Sequence, residues 1–241
     1  MITIDLNRLK IEPGKKVLDV GCGTGRHSCA VSRFEGVLVV GVDINHDGLM
    51  EAHRKLELEK EFNTFKARWC EFIVSDICSL PFEDMSFDLV ICSEVLEHVA
   101  NASRALGELA RVLKPCGDLA ISVPRSFPER ICWKLSSTYH SESGGHLRIY
   151  TKNDLKAAVE KKGLTHWATH FAHGLHTPYW WLKCLVGADN GRTRLVDLYH
   201  NLLVWDIMKK PRITRLLDSL LTPVMGKSIV MYFRKDGDVC S

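Results

Sequence analysis

Three glycines in five positions, Gly21, Gly23 and Gly25, follow an apolar run and an acid in VLDVGCGTGRHS (Val17 to Ser28). A strand running into such a turn brings backbone N–H groups against a ligand without interference from Cβ atoms, the arrangement that holds nucleotide-like molecules. Carboxylates stand at comparable places: Asp19 within this run, Asp43 closing VLVVGVD and Asp76 closing FIVSD. Taken singly, an acid at the end of a strand is as readily the N-cap of the next helix. Groups able to accept a proton recur further on. They are Glu97 and His98 in LEHV, His146 after Gly144-Gly145, and His166, His170, His173 and His176.

Two ligand classes use a glycine-rich turn of this kind. The dinucleotide fingerprint GxGxxG needs a third glycine for close packing of helix on sheet. Here position 26 is arginine, which leaves an NAD(P)-dependent oxidoreductase as a weaker alternative. A phosphate-binding P-loop is excluded because no Gly-Lys-Ser/Thr follows. The histidine series THWATHFAHGLHT invites a metal reading. Its alternation of Thr165, Trp167, Thr169 and Phe171 with His166, Ala168 and His170 instead predicts a strand, with His166 and His170 on one face. No metal is expected.

These residues need elements to position them. Lys16–Val20 reads as a short buried strand, Arg26–Phe34 as a helix stopped by Gly36, Val37–Asp43 as a second strand, and Asp47–Phe65 as a charged amphipathic helix. Phe72–Asp76 and Phe87–Ser93 are strands three and four, Ala102–Leu113 a helix ended by Pro115 and Gly117, and Asp118–Pro124 strand five. A short helix is expected over Glu129–Leu135. Another follows over Thr151–Lys162, with Thr151 capping, Asp154 at the capping-box offset and Gly163 terminating. Leu164–Phe171 and Ser228–Arg234 complete the set. The alternation predicts a doubly wound α/β sheet of seven mostly parallel strands.

The chain has 241 residues, 46% hydrophobic and 25% charged, which suits one domain with a large insertion rather than a disordered chain. A net charge of +3, with no basic stripe interleaved with stacking aromatics, argues against a nucleic-acid partner. MITIDLNRLK has an acid where the apolar core of a signal peptide would stand, and no apolar run reaches membrane-spanning length. The nine cysteines (Cys22, Cys29, Cys70, Cys78, Cys92, Cys116, Cys132, Cys184 and Cys240) include no CxxC pair. They are expected to be free thiols, mostly buried, in a reducing cytoplasm.

LDVGCGTG resembles the first motif of class I S-adenosylmethionine-dependent methyltransferases. VGVDIN resembles their second, SDICSLPFEDMSFDLVICSEVLEHV their third and fourth, and LKPCGDLAISVP their fifth. The motifs occur in order between about residues 15 and 124. HLRIYTKNDLKAAVEKKG resembles, more loosely, the segment after strand five in the subgroup that includes ubiquinone and menaquinone methyltransferases. The resemblance implies a Rossmann-like methyltransferase fold, S-adenosyl-L-methionine as cofactor, and roles at matching positions. Gly21, Gly23 and Gly25 bring backbone against the cofactor, and Asp19 faces the methionine ammonium. Asp43, followed by Ile44, accepts the ribose hydroxyls. Asp76 accepts the adenine amine while Ile77 covers the ring, and Ser93 contacts the methionine portion. His98 and His146 are the candidates for removing an acceptor's proton, against the blander reading of a Glu-His pair that fixes a loop. No Asn/Asp-Pro-Pro-Tyr/Phe-type motif follows strand four, so amino-methylation of nucleobases has no support.

Between the last two strands, residues 173–227 form an expected helical insertion or cap on a single domain of residues 1–241, whose cofactor core is 15–124. TPYWWLKCLVG has Thr177 as N-cap, Pro178 at the first helical position and Gly187 as terminator. RLVDLYHNLLVWDIMKKP keeps helical spacing to Pro211, and ITRLLDSLL is a third short piece. About a dozen residues precede strand one, so the insertion is expected to cover the pocket, with His173, His176, Tyr179 and Trp180 lining the acceptor. Those aromatics point to a small lipophilic or aromatic molecule. Residues 192–215 carry six basic against two acidic side chains, net +4, consistent either with a solvated cap or with peripheral membrane contact. The expectation is a cytoplasmic methyltransferase of undetermined oligomeric state. The alternative is a non-catalytic binding protein of the same fold.

Overall fold

The computed structural model describes residues 2–136, 145–186, 193–209 and 211–237. Its strands are β1 (Lys16–Val20), β2 (Leu38–Asp43), β3 (Trp69–Val74), β4 (Phe87–Ser93), β5 (Leu113–Pro124), β6 (Leu164–Ala172) and β7 (Ser228–Lys235). They form one sheet in the order β3-β2-β1-β4-β5-β7-β6. The pairings from β3 through β5 are parallel, and β7 runs antiparallel to both its neighbours. The order reverses where β1 meets β4, which is where open α/β sheets place ligands at the carboxyl ends of their strands.

The helices are α1 (Arg26–Val31), α2 (His46–Glu61), α3 (Ala102–Val112), α4 (Ser126–Leu135), α5 (Lys152–Glu160), α6 (His176–Val186), α7 (Arg194–Lys209) and α8 (Arg212–Met225). One face of the sheet buries Leu18, Val90, Ile121 and Phe233 against Leu106, Leu109 and Leu155 of α3 and α5. The other buries Val17, Val39, Ile91 and Tyr232 against Cys29, Leu49 and Leu56 of α1 and α2. With both faces covered, parallel strands read as unbroken apolar runs. The last three helices lie between β6 and β7 as a helical insertion before the last strand.

Several local expectations change. β5 begins at Leu113, because Pro115 and Gly117 sit at its irregular leading edge, where Phe87 pairs Leu113 before the register shifts. The Thr177 hydroxyl donates to the Met225 carbonyl instead of capping, and α6 starts at His176. Gly187, the expected terminator, lies outside the described residues, as does Gly144. α8 runs on through Pro223; Arg125 Nη1 donates to the carbonyls of Pro223 and Val224. A register irregularity between His166 and Ala168 puts the two histidines of β6 on opposite faces. His166 packs on Phe233 and His170 on Tyr232, so they do not share a face as strict alternation would require. Cys116 is disulfide-bonded, which departs from the expectation of free thiols; seven other cysteines are free, six of them buried.

Candidate functional site

The glycine turn is shaped by what stands around it. Gly21 has φ +67°, and a Cβ there would lie 2.2 Å from Cγ2 of Val95. Gly25 has φ +73°, and its Cβ would meet that of Ala52 on α2 at 2.7 Å. The close helix approach that a dinucleotide fold assigns to a later glycine is therefore made by Gly25, with Arg26 opening α1. Gly23, also at positive φ, has nothing within 4 Å of an added Cβ, so its backbone faces open space.

Asp43 fastens this turn. Its Oδ2 accepts the Gly23 N–H at 2.7 Å and its Oδ1 the Asn45 N–H at 2.8 Å. It is not the helix cap; Asn45 is, accepting from the N–H groups of Asp47 and Gly48. Each Asp43 oxygen keeps a further lone pair for a hydroxyl donor. Asp19 is buried behind the turn. Its Oδ2 accepts from both the N–H and the hydroxyl of Ser28, while Oδ1 has no partner. Burial pushes its carboxyl up to about 6.

A cavity of about 600 Å³ opens at the ends of these strands. Gly21, Gly23, Asp43, Ile44, Asp76, Ile77, Glu94, Val95 and His98 are among the residues that line it. Asp76 Oδ1 accepts the Cys78 N–H at 2.8 Å, which holds the acid in a short turn. Ile77 is buried, whereas Ile44 is 75% exposed. Gly25 and Ser93 line a second cavity of about 990 Å³ on the other side of the turn, and Gly21, Gly23 and Glu94 are common to both. Ser93 Oγ lies 2.9 Å from Ser122 Oγ, which donates to Glu94 Oε1 at 2.8 Å. Glu94 itself sits at φ +58°, an uncommon backbone conformation for a side chain of that size.

His98 and His146 come together, their ring centroids 5.0 Å apart. His98 Nδ1 donates to the Gly145 carbonyl at 3.3 Å, and the Leu147 N–H donates to the Glu97 carbonyl at 2.9 Å, tying the two segments. His146 Nδ1 donates to Glu129 Oε1 at 2.5 Å, and the Trp133 indole donates to the same oxygen at 3.1 Å. The Glu97 carboxylate is buried with both oxygens lacking a hydrogen-bond donor, His98 Nε2 standing 3.8 Å from one of them. Burial first, then the charge of Glu94, holds its carboxyl well above the usual range. Burial lowers the Lys227 ammonium, with the charges of Glu94 and Glu129 opposing that shift. That ammonium lies 4.1 Å from the Trp180 ring centroid. Glu97, His98 and His146 offer ligand-type atoms within 4.8 Å of one another, the one such group among the described residues.

The other expected acceptor residues do not join this cluster. His173 and His176 line a cavity of about 1120 Å³ with Thr3, Asp206, Asp218 and Thr222. His173 Nε2 lies 3.1 Å from Thr3 Oγ1, and burial drives the two imidazoles down to about 3 and about 4. Tyr179 packs between Trp180, Tyr199 and His200, in the seam between α6 and α7. No described residue of the insertion lines either cavity beside the glycine turn, contrary to its expected place as their cover. The N-terminal segment takes part instead, with Ile2 on the 990 Å³ cavity. It is pinned by Thr3 and Ile4 N–H groups on His27 Nε2 and by Asp5 N–H on the Tyr232 hydroxyl. Glu129 and Lys227 were not foreseen. Neither stands in a recognisable motif, and only tertiary contact brings them beside His146 and Glu97.

Residues 18–121 match the family model described as a methyltransferase domain. Over 142 residues the chain is 30% identical to sterol 24-C-methyltransferase erg6 of Schizosaccharomyces pombe, covering 59% of this chain and 34% of that protein. Over 115 residues it is 34% identical to methyltransferase GfsG of Streptomyces halstedii, covering 48% and 40%. The chain thus spans well under half the length of these relatives. A S-adenosylmethionine-dependent methyltransferase of Methanosarcina mazei superposes with a TM-score of 0.62 at 19% identity, over 95% of both chains. The [4+2]-cyclase SpnF does so with 0.61 at 18% identity, over 96% of this chain and 78% of that one. Residues 18–121 thus match a methyltransferase domain, and the whole chain shares the fold of S-adenosylmethionine-dependent methyltransferases. Its residues fit S-adenosylmethionine: the cavity holds an open backbone cradle at Gly23, with Asp43 and Asp76 in the same lining.

Proposed function

We propose that the protein transfers a methyl group from S-adenosylmethionine to a small lipophilic acceptor whose proton is taken at His98 and His146. The observation that carries this is the shared 600 Å³ cavity, lined by the Gly21–Gly23 turn, Asp43, Asp76 and His98. The cofactor supplies a methyl group activated on a sulfonium. Asp43 would bind the ribose, Asp76 and Ile77 the adenine, and the Gly23 backbone lies open toward the ligand. Asp19 and Ser93 would serve the methionine end. Methyl displacement needs alignment and exclusion of water more than covalent help from the protein.

Proton handling falls to the imidazoles. Glu129 holds the His146 proton on Nδ1, leaving Nε2 with the basic lone pair, as an acid orients a histidine in other proton-transfer sites. The Gly145 carbonyl orients His98 in the same sense. The names of sterol-methylating relatives support a lipophilic acceptor.

One observation favours a second reading: a [4+2]-cyclase shares the fold, so fold and cofactor site alone do not establish transfer. The test is incubation of the full chain with S-adenosylmethionine labelled in its methyl group and lipid-soluble and water-soluble cell extracts. Label entering the lipid-soluble fraction, lost in His146→Ala, is the expected result. Binding of S-adenosylhomocysteine without label transfer to either fraction would favour the non-methylating reading.

A further inference from the structure

The insertion turns its apolar side outward. α8 is strongly amphipathic, yet Ile213, Leu216, Leu217, Leu220 and Val224 are all exposed, at 45–72%. Their spacing of three and four places them along one stripe. Its polar Thr214 is buried instead, donating to Asp206 Oδ1 of α7. α7 behaves alike: Leu195, Leu198, Leu202, Trp205 and Met208 face solvent while Asp206 is buried. Leu195, Leu198, Leu202 and Trp205 also line a groove of about 670 Å³ with Leu182. A surface helix of a water-soluble domain ordinarily has the reverse arrangement.

Charge is sorted too. Among the described residues of both helices, every exposed charged side chain is basic: Arg194, Lys209, Arg212 and Arg215. The acids are withdrawn. Asp206 is buried, Asp218 is half-buried and accepts the Leu175 N–H at 2.9 Å, and Asp197 is half-buried. Arg215 Nη2 donates to the Asp206 carbonyl at 3.5 Å and stands 3.7 Å from its carboxylate.

We propose that α7 and α8 form a docking surface for an anionic lipid bilayer. An apolar face flanked by basic residues, with a tryptophan among them, suits the boundary between headgroups and acyl chains. A second copy of this chain is disfavoured, because pairing these faces would bring arginines and Lys209 against their like. No described helix is long and apolar enough to cross a membrane, so the contact is peripheral. Arg215 and Asp218 of α8 also line the 1120 Å³ cavity, and Ile2 is common to that lining and to the 990 Å³ cavity beside the glycine turn. The same face is then the side on which a lipophilic acceptor would enter. That last step rests on the proposed function; the docking does not.

The test is co-sedimentation of the full chain with vesicles of phosphatidylcholine, alone or mixed with phosphatidylglycerol, at low and high salt. Binding is expected only to the anionic vesicles and to weaken with salt. Leu216→Asp/Leu220→Asp and Arg212→Glu/Arg215→Glu should each weaken it by at least about tenfold, while S-adenosylhomocysteine binding shows both variants folded. Absence of binding to anionic vesicles, or binding that neither variant weakens, overturns the proposal. So does a dimer, seen by light scattering, that Leu216→Asp/Leu220→Asp splits, since the face then belongs to a second copy. Vesicle binding without label transfer to any lipid-soluble acceptor leaves the docking surface standing and removes the proposed function.

Discussion

The carboxylate of Asp43, at the end of β2, accepts the backbone N–H of Gly23 at 2.7 Å, twenty residues earlier in the chain. One side chain thus shapes the glycine turn and stands on the wall of the cavity that the turn borders. Replacing Asp43 with alanine removes a hydroxyl acceptor and frees the turn together. S-adenosylhomocysteine affinity, measured by calorimetry, is expected to fall at least tenfold, about 1.4 kcal/mol. Unchanged affinity would remove Asp43 from the ligand site.

Gly21 and Gly23 separate packing from access. A Cβ at position 21 strikes Val95 and also adopts a left-handed backbone, whereas at position 23 only the backbone is strained. Gly21→Ala is expected to cost about 2–4 kcal/mol, lowering the melting temperature by roughly 5–15 °C. Gly23→Ala should cost about 1 kcal/mol while weakening S-adenosylhomocysteine binding by placing a methyl on the open side of the turn. Equal losses of stability in the two variants would contradict this division.

What was legible in the sequence follows from how local each cause is. β1 and β4 fall at their expected bounds because each is an apolar run closed by a turn or a polar residue. The Thr151 cap and its bond to the Asp154 N–H were readable for the same reason. The bulge at His166–Ala168 depends on pairing with β7, more than sixty residues away, and no local pattern announces it. That Gly23, Asp43 and Asp76 border one cavity was readable because they sit at the ends of successive strands. Glu129, His146 and Lys227 come from a helix, a loop and the approach to β7, so only the folded chain assembles them. Ile2 reaches the 990 Å³ cavity only because His27 and Tyr232 hold its segment down, a contact that no local pattern announces.

The buried histidines predict acid lability. His27, His173 and His176 are driven by burial to about 3, about 3 and about 4. Their folded values lie below the unfolded one, near 6.5, so the stability they carry is present above that pH and is lost as pH falls. Each contributes roughly 2–3 kcal/mol of loss by about pH 4.5. Urea unfolding should show stability falling steeply from pH 6.5 to 4.5. His173→Gln/His176→Gln should flatten that slope by more than half, and a wild-type slope near zero would refute it.

Asp19 has the opposite sign. Burial raises its carboxyl to about 6, so the protonated form favours the folded state, and that contribution is lost as pH rises from near 4 to 6. Asp19→Asn removes the titration. The stability of wild type relative to this variant should therefore increase as pH falls from 7 to 4, by at most roughly 3 kcal/mol. A difference that stays constant over that range would mean Asp19 titrates normally. S-adenosylhomocysteine binding gives a second readout: an ionised Asp19 that attracts the ligand ammonium requires wild-type affinity to drop below pH 6.

His146 carries the sharpest consequence for activity. Its Nδ1 is committed to Glu129, so Nε2 is the basic nitrogen, and the ring stands beside His98, which lines the 600 Å³ cavity. His146→Ala is expected to lower kcat by about 10²–10⁴-fold while leaving the Kd for S-adenosylhomocysteine within about twofold. Glu129→Gln keeps the shape but donates or accepts with a neutral amide, so the imidazole is less firmly held as the Nδ1–H tautomer. Its kcat should fall less than that of His146→Ala, and its pH profile should shift, which a merely structural role would not produce. Proton acceptance by imidazole needs no cation, so a chelator should leave wild-type turnover unchanged. Loss of turnover on chelation would instead make Glu97, His98 and His146 metal ligands, and full activity in His146→Ala would place the proton acceptor elsewhere.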